Sequence, residues 1–112
     1  MFLSVQGMDD STHYHFLKAL EANPEISQRQ LARELGVSLG KTNYCLRALI
    51  EKGWVKAENF YRNPDKGRYF YVLTPKGIEA RARLTKRFLH RKLREYEELK
   101  AEIARLQDEV EG

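Results

Sequence analysis

Cysteine occurs once in the 112 residues, at Cys45, so an intrachain disulfide framework is excluded and the chain suits a reducing compartment. Long apolar runs are missing: none approaches the ~20 residues that a membrane span needs. The opening residues 1–7 lack the charged start and extended apolar stretch of a signal peptide. A cytoplasmic, nucleoid-associated protein without membrane contact is therefore expected. The combinations of groups from which catalytic sites are assembled are missing too. Cys45 has no base near it in sequence and falls on the inward side of a helix, as a small core residue. His13 and His15 fall on different sides of one helical segment and make a poor metal pair, while His90 stands among like charges. There is no Walker-type glycine-rich loop. No enzyme activity, metal or cofactor is expected.

What remains is charge and pattern. Hydrophobic residues make up 42% and charged residues 32%, the composition of a soluble, charge-rich domain with material for one modest core. Residues 27–55 are the most informative stretch. Leu31, Ala32 and Leu35 share one face of a first short helix. Gly36 ends it, because glycine enters a left-handed turn without steric cost. Ser38 caps a second helix whose inward face is Thr42, Cys45, Leu46 and Leu49. Small Ala32 allows the two helices to cross closely. Leu39, Gly40, Lys41, Asn43, Tyr44 and Arg47 then face outward. Exposed residues of this kind on the second helix of a helix-turn-helix are what a major-groove reader requires.

A preceding helix begins at Asp9, Asp10 and Ser11 and stops near Ala22, since Asn23 precedes Pro24 and the residue before proline avoids helical geometry. Its Tyr14, Phe16, Leu17 and Leu20 are expected to pack under the helix-turn-helix. Ser27 with Gln30 resembles a capping box. Residues 54–60 and 68–74 are rich in aromatic and β-branched residues and flank a turn-rich connection, which predicts a β-hairpin. A hairpin directly after such a helix is a wing. Arg62, Lys66 and Arg68 sit at or beside its tip, within reach of phosphates or the minor groove.

Thr74 and Pro75 mark the next start, with threonine as the cap and proline at the first helical position. One long helix follows to about Val110. A heptad seam fits it, with Ala82, Leu89, Tyr96, Ile103 and Val110 at a, and Ile78, Thr85, Lys92, Leu99 and Leu106 at d. The register is poor at Thr85 and Lys92 and good from Tyr96 onward. Ile and Val at a with Leu at d favour a parallel two-stranded coil, and Glu95 and Lys100 fall at g and e. An antiparallel pair, a different partner and folding back onto the same chain all remain open. Charge is unevenly spread along the helix. Residues 76–94 hold eight Lys or Arg against Glu79, and residues 95–112 hold Lys100 and Arg105 against seven acids. A basic block beside the reading head with an acidic block far from it would orient the molecule on a polyanion.

The chain resembles the MarR-type winged-helix transcriptional regulators, especially the small exopolysaccharide-associated group. The residues that carry the likeness are Glu21-Ala-Asn-Pro-Glu25, Ser27-Gln-Arg-Gln-Leu-Ala-Arg-Glu-Leu-Gly36, Asn43-Tyr-Cys-Leu-Arg-Ala-Leu-Ile-Glu-Lys-Gly53 and Leu73-Thr-Pro-Lys-Gly77. The resemblance covers about residues 9–105, and the last segment supports the fold more than the subgroup. The resemblance implies a bacterial, dimeric repressor or activator that binds double-stranded DNA. Many MarR proteins are longer, with further helices and a phenolic-ligand pocket near the dimer interface. This chain has little material for that pocket, so no small-molecule effector is assigned.

The expected architecture is mainly α with a small β-hairpin wing. Residues 1–8 are a tail, 9–75 a winged helix-turn-helix, and 76–112 a long helix that dimerises as a coiled coil. The DNA-binding residues are Ser38, Leu39, Lys41, Asn43, Tyr44 and Arg47 on the recognition helix and Arg62, Lys66 and Arg68 on the wing. Dimerisation is assigned to Leu89, Tyr96, Leu99, Ile103, Leu106 and Val110. The competing function is a winged-helix scaffold for other proteins, although such a scaffold would tolerate acids or an apolar patch on the recognition face. RNA binding asks for aromatics exposed on an open sheet, and the hairpin is too short a platform.

Overall fold

A computed structural model describes residues 9–59 and 69–112. The tail 1–8 and the wing residues Arg62, Lys66 and Arg68 lie outside the described residues. Helix α1 spans Asp10–Ala22 and opens on Asp9, whose carboxylate accepts from the Thr12 amide at 2.8 Å. Helix α2 spans Gln28–Leu35 and carries the capping box that Ser27 and Gln30 foreshadow: each side chain bonds the other's backbone amide, both at 3.1 Å. Gly36 closes α2 with φ of 68°, which lets the Val37 amide return to the Ala32 carbonyl at 3.0 Å. Helix α3 spans Leu39–Glu51; Ser38 caps it by accepting from the Lys41 amide at 3.0 Å.

Strands β1 (Val55–Asn59) and β2 (Tyr69–Leu73) form an antiparallel pair in which Val55 faces Leu73 and Ala57 faces Tyr71. At their described outer ends the strands stop one residue inside the aromatic-rich segments, leaving out Trp54 and Thr74. Trp54 is held in the turn by its amide bond to the Leu49 carbonyl at 3.1 Å, and Thr74 leaves the strand to cap the next helix. That helix, α4, spans Pro75–Glu111.

The core gathers Phe16, Leu17 and Leu20 of α1, Leu31 of α2, and Cys45, Leu46 and Leu49 of α3. Val55, Tyr71, Ala80 and Leu84 close it from the hairpin and α4. All four residues expected on the inward face of α3 are buried. Tyr14 differs from expectation. It is only half-buried, at the core's edge, and stacks on Phe88 of α4 with ring centroids 4.7 Å apart. It therefore ties α1 to the long helix more than to the helix-turn-helix.

The junction between hairpin and α4 is tight. The Thr74 amide bonds the Trp54 carbonyl at 3.0 Å, and the Thr74 hydroxyl donates to the Gly53 carbonyl while accepting from the Gly77 amide at 3.0 Å. A Cβ at Gly77 would fall inside the Trp54 carbonyl, so the helix can lie this close only because residue 77 is glycine.

Beyond Arg91 every residue of α4 is exposed. The radius of gyration is 18.5 Å, against about 13 Å for a compact chain of this length, and the long dimension is 68 Å. The distal helix does not fold back on the head. Among the described residues no helix is long and apolar enough to cross a membrane.

Candidate nucleic-acid interface

The reading face follows from how α3 is seated. Thr42, Cys45, Leu46 and Leu49 point into the core, and helical geometry turns Leu39, Gly40, Lys41, Asn43, Tyr44 and Arg47 outward. Leu39 and Tyr44 are each 41% exposed, a large apolar and aromatic presence for solvent to cover. Ser38 is exposed, but its hydroxyl is committed to the Lys41 amide, so it acts first as a cap. The Thr42 hydroxyl donates to the Ser38 carbonyl at 2.9 Å and fastens the first turn of α3.

Charge pairing ties part of the basic block on α4 to α1. Among the described residues, no ion pair engages Lys41 or Arg47. Two cations of α4 do pair with α1: Arg87 Nη1 lies 3.2 Å from an Asp10 carboxylate oxygen. Arg81 Nε lies 3.0 Å from Glu21 Oε1, close enough to pair in charge although the angle is not that of a hydrogen bond. The basic block on α4 is thus partly neutralised by α1, while Lys41 and Arg47 of α3 are both exposed.

A residue with no periodic signature joins this face to the wing. Gln28, first in α2, donates from Nε2 to the Tyr71 hydroxyl at 3.0 Å, and its Oε1 accepts from Asn43 Nδ2 at 3.4 Å. The Tyr71 amide also bonds the Pro24 carbonyl at 3.2 Å, which pins β2 beside the entrance to α2. One side-chain amide so links both helices of the helix-turn-helix to the inner strand. Its position directly after the Ser27 cap was the sole hint in the sequence.

Cys45 is fully buried, and burial pushes its thiol above the ordinary range, with nearby Lys41 acting weakly in the opposite sense. It is a core residue. His13 and His15 diverge as their spacing requires. His15 is exposed, whereas His13 is buried, with Nδ1 2.8 Å from the Asp9 carbonyl and its ring edge-on to Trp54 at 5.4 Å. Burial is the main cause that lowers the His13 pKa; the bond to Asp9 opposes it, and Lys52 adds to it.

The residues assigned to dimerisation lie along the free part of α4. Leu89, Tyr96, Leu99, Ile103, Leu106 and Val110 are between 46% and 87% exposed. Leu93, which the a/d seam leaves out, is 52% exposed beside them.

Residues 9–56 match the domain family described as winged helix-turn-helix DNA-binding. No curated protein matches the chain by sequence. Several solved structures are similar in fold. FabT of Streptococcus pneumoniae, solved in complex with DNA, is 26% identical over 75% of this chain and 57% of its own, with a TM-score of 0.58. A MarR transcriptional regulator from Methanosarcina mazei is 26% identical over 66% of this chain and 52% of its own, with a TM-score of 0.56. Wild-type MarR from E. coli in its apo form is 24% identical over 96% and 82%, with a TM-score of 0.64. The chain spans little more than half the length of the first two. It carries a winged helix-turn-helix DNA-binding domain, and regulators of the MarR family stand among its structural neighbours.

Proposed function

Starting from a winged helix-turn-helix with MarR-family neighbours, we propose that the chain is a sequence-specific, double-stranded-DNA-binding transcriptional regulator that acts as a homodimer. The observation that carries this reading is the outward face of α3, where Lys41, Asn43, Tyr44 and Arg47 all stand exposed. Asn43 has the donor and acceptor for an adenine edge, and Arg47 has the fork for guanine O6 and N7; each such pair is worth ~1–3 kcal/mol of discrimination. Lys41, in the first turn of the helix, suits a phosphate, and Tyr44 suits a thymine methyl or a phosphate. Leu39 offers an apolar contact. Arg62, Lys66 and Arg68 are assigned by sequence alone to the backbone and minor groove beside the wing. Genes of exopolysaccharide synthesis are the target class that the sequence resemblance implies.

In the homodimer the exposed stripe on α4 meets a second copy through Leu89, Tyr96, Leu99, Ile103, Leu106 and Val110. A two-fold pair of heads then calls for a palindromic site with half-sites one helical turn apart or a multiple of it. Selection of duplexes from a randomised pool tests this, followed by titration of the winner against scrambled DNA at one salt concentration. A palindrome bound at least ~10³-fold more tightly than scrambled DNA supports the reading. Equal, weak and salt-sensitive binding to every duplex defeats it and turns attention to a protein-scaffold role.

A further inference from the structure

The free half of α4 carries more information than an apolar stripe. From Leu89 to Val110 its seam positions are Leu89, Lys92, Tyr96, Leu99, Ile103, Leu106 and Val110, one charge among six apolar or aromatic residues. All of the large ones are exposed, and the head is too far away to cover them. The repeat of 3.5 residues drifts by ~20° per heptad around a straight helix, so two copies keep the stripe in contact by supercoiling. The rims beside the seam differ in sign. At the g positions stand Phe88, Glu95, Glu102 and Glu109; at the e positions stand Lys86, Leu93, Lys100 and Gln107.

We infer that this segment pairs with the same segment of a second copy in parallel and in register, an inference that rests on the homodimer reading above. In a parallel pair each g residue meets the e residue five positions later on the other chain. Glu95 then faces Lys100 of the second copy, and the two-fold axis repeats the pair. Glu102 faces Gln107, which is neutral. Phe88 faces Leu93, and this gives Leu93 a contact that the a/d seam alone does not. An antiparallel pair instead sets g against g and e against e, which lines up Glu95, Glu102 and Glu109 with one another.

The basic and acidic blocks of α4 taken whole would attract one another in the antiparallel arrangement, but most of their charges do not face the seam. Arg83, Arg87, Arg91, Arg94, Glu97, Glu98 and Asp108 occupy b, c and f, on the solvent side, where salt screens them. Lys92, the charged seam residue, is drawn to the rim. Its Nζ bonds Glu95 at 3.1 Å and lies 5.2 Å from the centre of the Phe88 ring. That ring is already stacked on Tyr14 of α1, so the first layer of the coil is continuous with the packing of the head.

The test begins with sedimentation equilibrium of the full chain, where twice 13.2 kDa is expected. Cysteines are then placed at the two ends of the seam, Leu89→Cys and Val110→Cys, with Cys45 buried and out of reach. Under mild oxidation, Val110→Cys protein is expected to link to itself. A dimer in which Val110→Cys links to Leu89→Cys and not to itself overturns the parallel orientation while the homodimer stands. A monomer of 13.2 kDa at all concentrations overturns the homodimer and the orientation with it. A charge swap gives an independent reading. Mixing Glu95→Lys with Lys100→Glu should yield a heterodimer on the order of tenfold tighter than either variant alone, since both rim pairs become opposite in sign only in the mixture. No preference for the mixed dimer counts against the parallel register.

Discussion

The side-chain amide of Gln28 donates to the hydroxyl of Tyr71 at 3.0 Å across a separation of 43 residues, and its oxygen receives the amide of Asn43. An asparagine amide has two N–H groups. With one held by Gln28, the exposed Asn43 still has its carbonyl oxygen and second N–H to offer, the pair that an adenine edge requires. Gln28→Ala is expected to weaken binding to the selected duplex by about threefold to tenfold, the worth of one hydrogen bond, with little change on scrambled DNA. Tyr71→Phe should act in the same direction. Titration of both variants against both duplexes checks it, and an equal loss on both would mean that Gln28 holds only the fold.

Arg47 and Lys66 should differ in kind. Arg47→Ala is expected to cost ~1–3 kcal/mol on the selected site and to relax preference at one base position. Lys66→Ala should weaken all duplexes alike and lower the slope of log affinity against log salt by roughly 0.9. Salt titrations of the two variants on matched and mismatched sites separate the two behaviours.

Gly77→Ala places a methyl group where the Trp54 carbonyl already stands, so α4 must move away from the hairpin. A loss of ~1–3 kcal/mol is expected from such overpacking, about as large as or larger than the ~1 kcal/mol for Thr74→Ala, which removes the cap. Thermal unfolding of the two variants, measured beside the parent chain, gives the order.

Acid should destabilise the domain below neutrality. Burial holds the folded-state pKa of His13 below its value in the unfolded chain. The unfolded chain therefore takes up a proton first as pH falls through about 6.5, and stability declines from there until the folded pKa is reached. The bond from the Thr12 amide lowers the Asp9 pKa, so its stabilisation is present above about 3.9 and is lost below that, a second and separate step. Unfolding midpoints measured between pH 8 and pH 5 should fall, and a His13→Gln variant should lack that decline.

Local chemistry was legible in the sequence and long-range contact was not. The Ser27–Gln30 box, the Ser38 cap, the Gly36 terminator and the Thr74-Pro75 start are each set by residues within four positions, and all appear as read. The buried face of α3 follows from spacing alone, which also fixes which side of it is free. Gln28 with Tyr71, His13 with Trp54 and Gly77 with the Trp54 backbone join segments whose approach depends on the packing of other helices. No pattern along the chain announces them. Leu93 escaped the heptad reading because it lies at a rim position, visible only once the whole exposed surface of α4 is known. The base-reading roles of Asn43 and Arg47 rest on residue type and exposure, and the DNA experiments above decide them.

A 37-residue helix with no proline after its first position is a stiff arm about 55 Å long. The bonds of Thr74 to Gly53 and Trp54, and the close seat of Gly77, leave no slack where that arm enters the head. A tilt of only about 5° at this joint would carry the far end sideways by roughly 5 Å over such a length. The molecule is built like one leg of a pair of callipers, in which a small change of angle at one end sets the opening at the other.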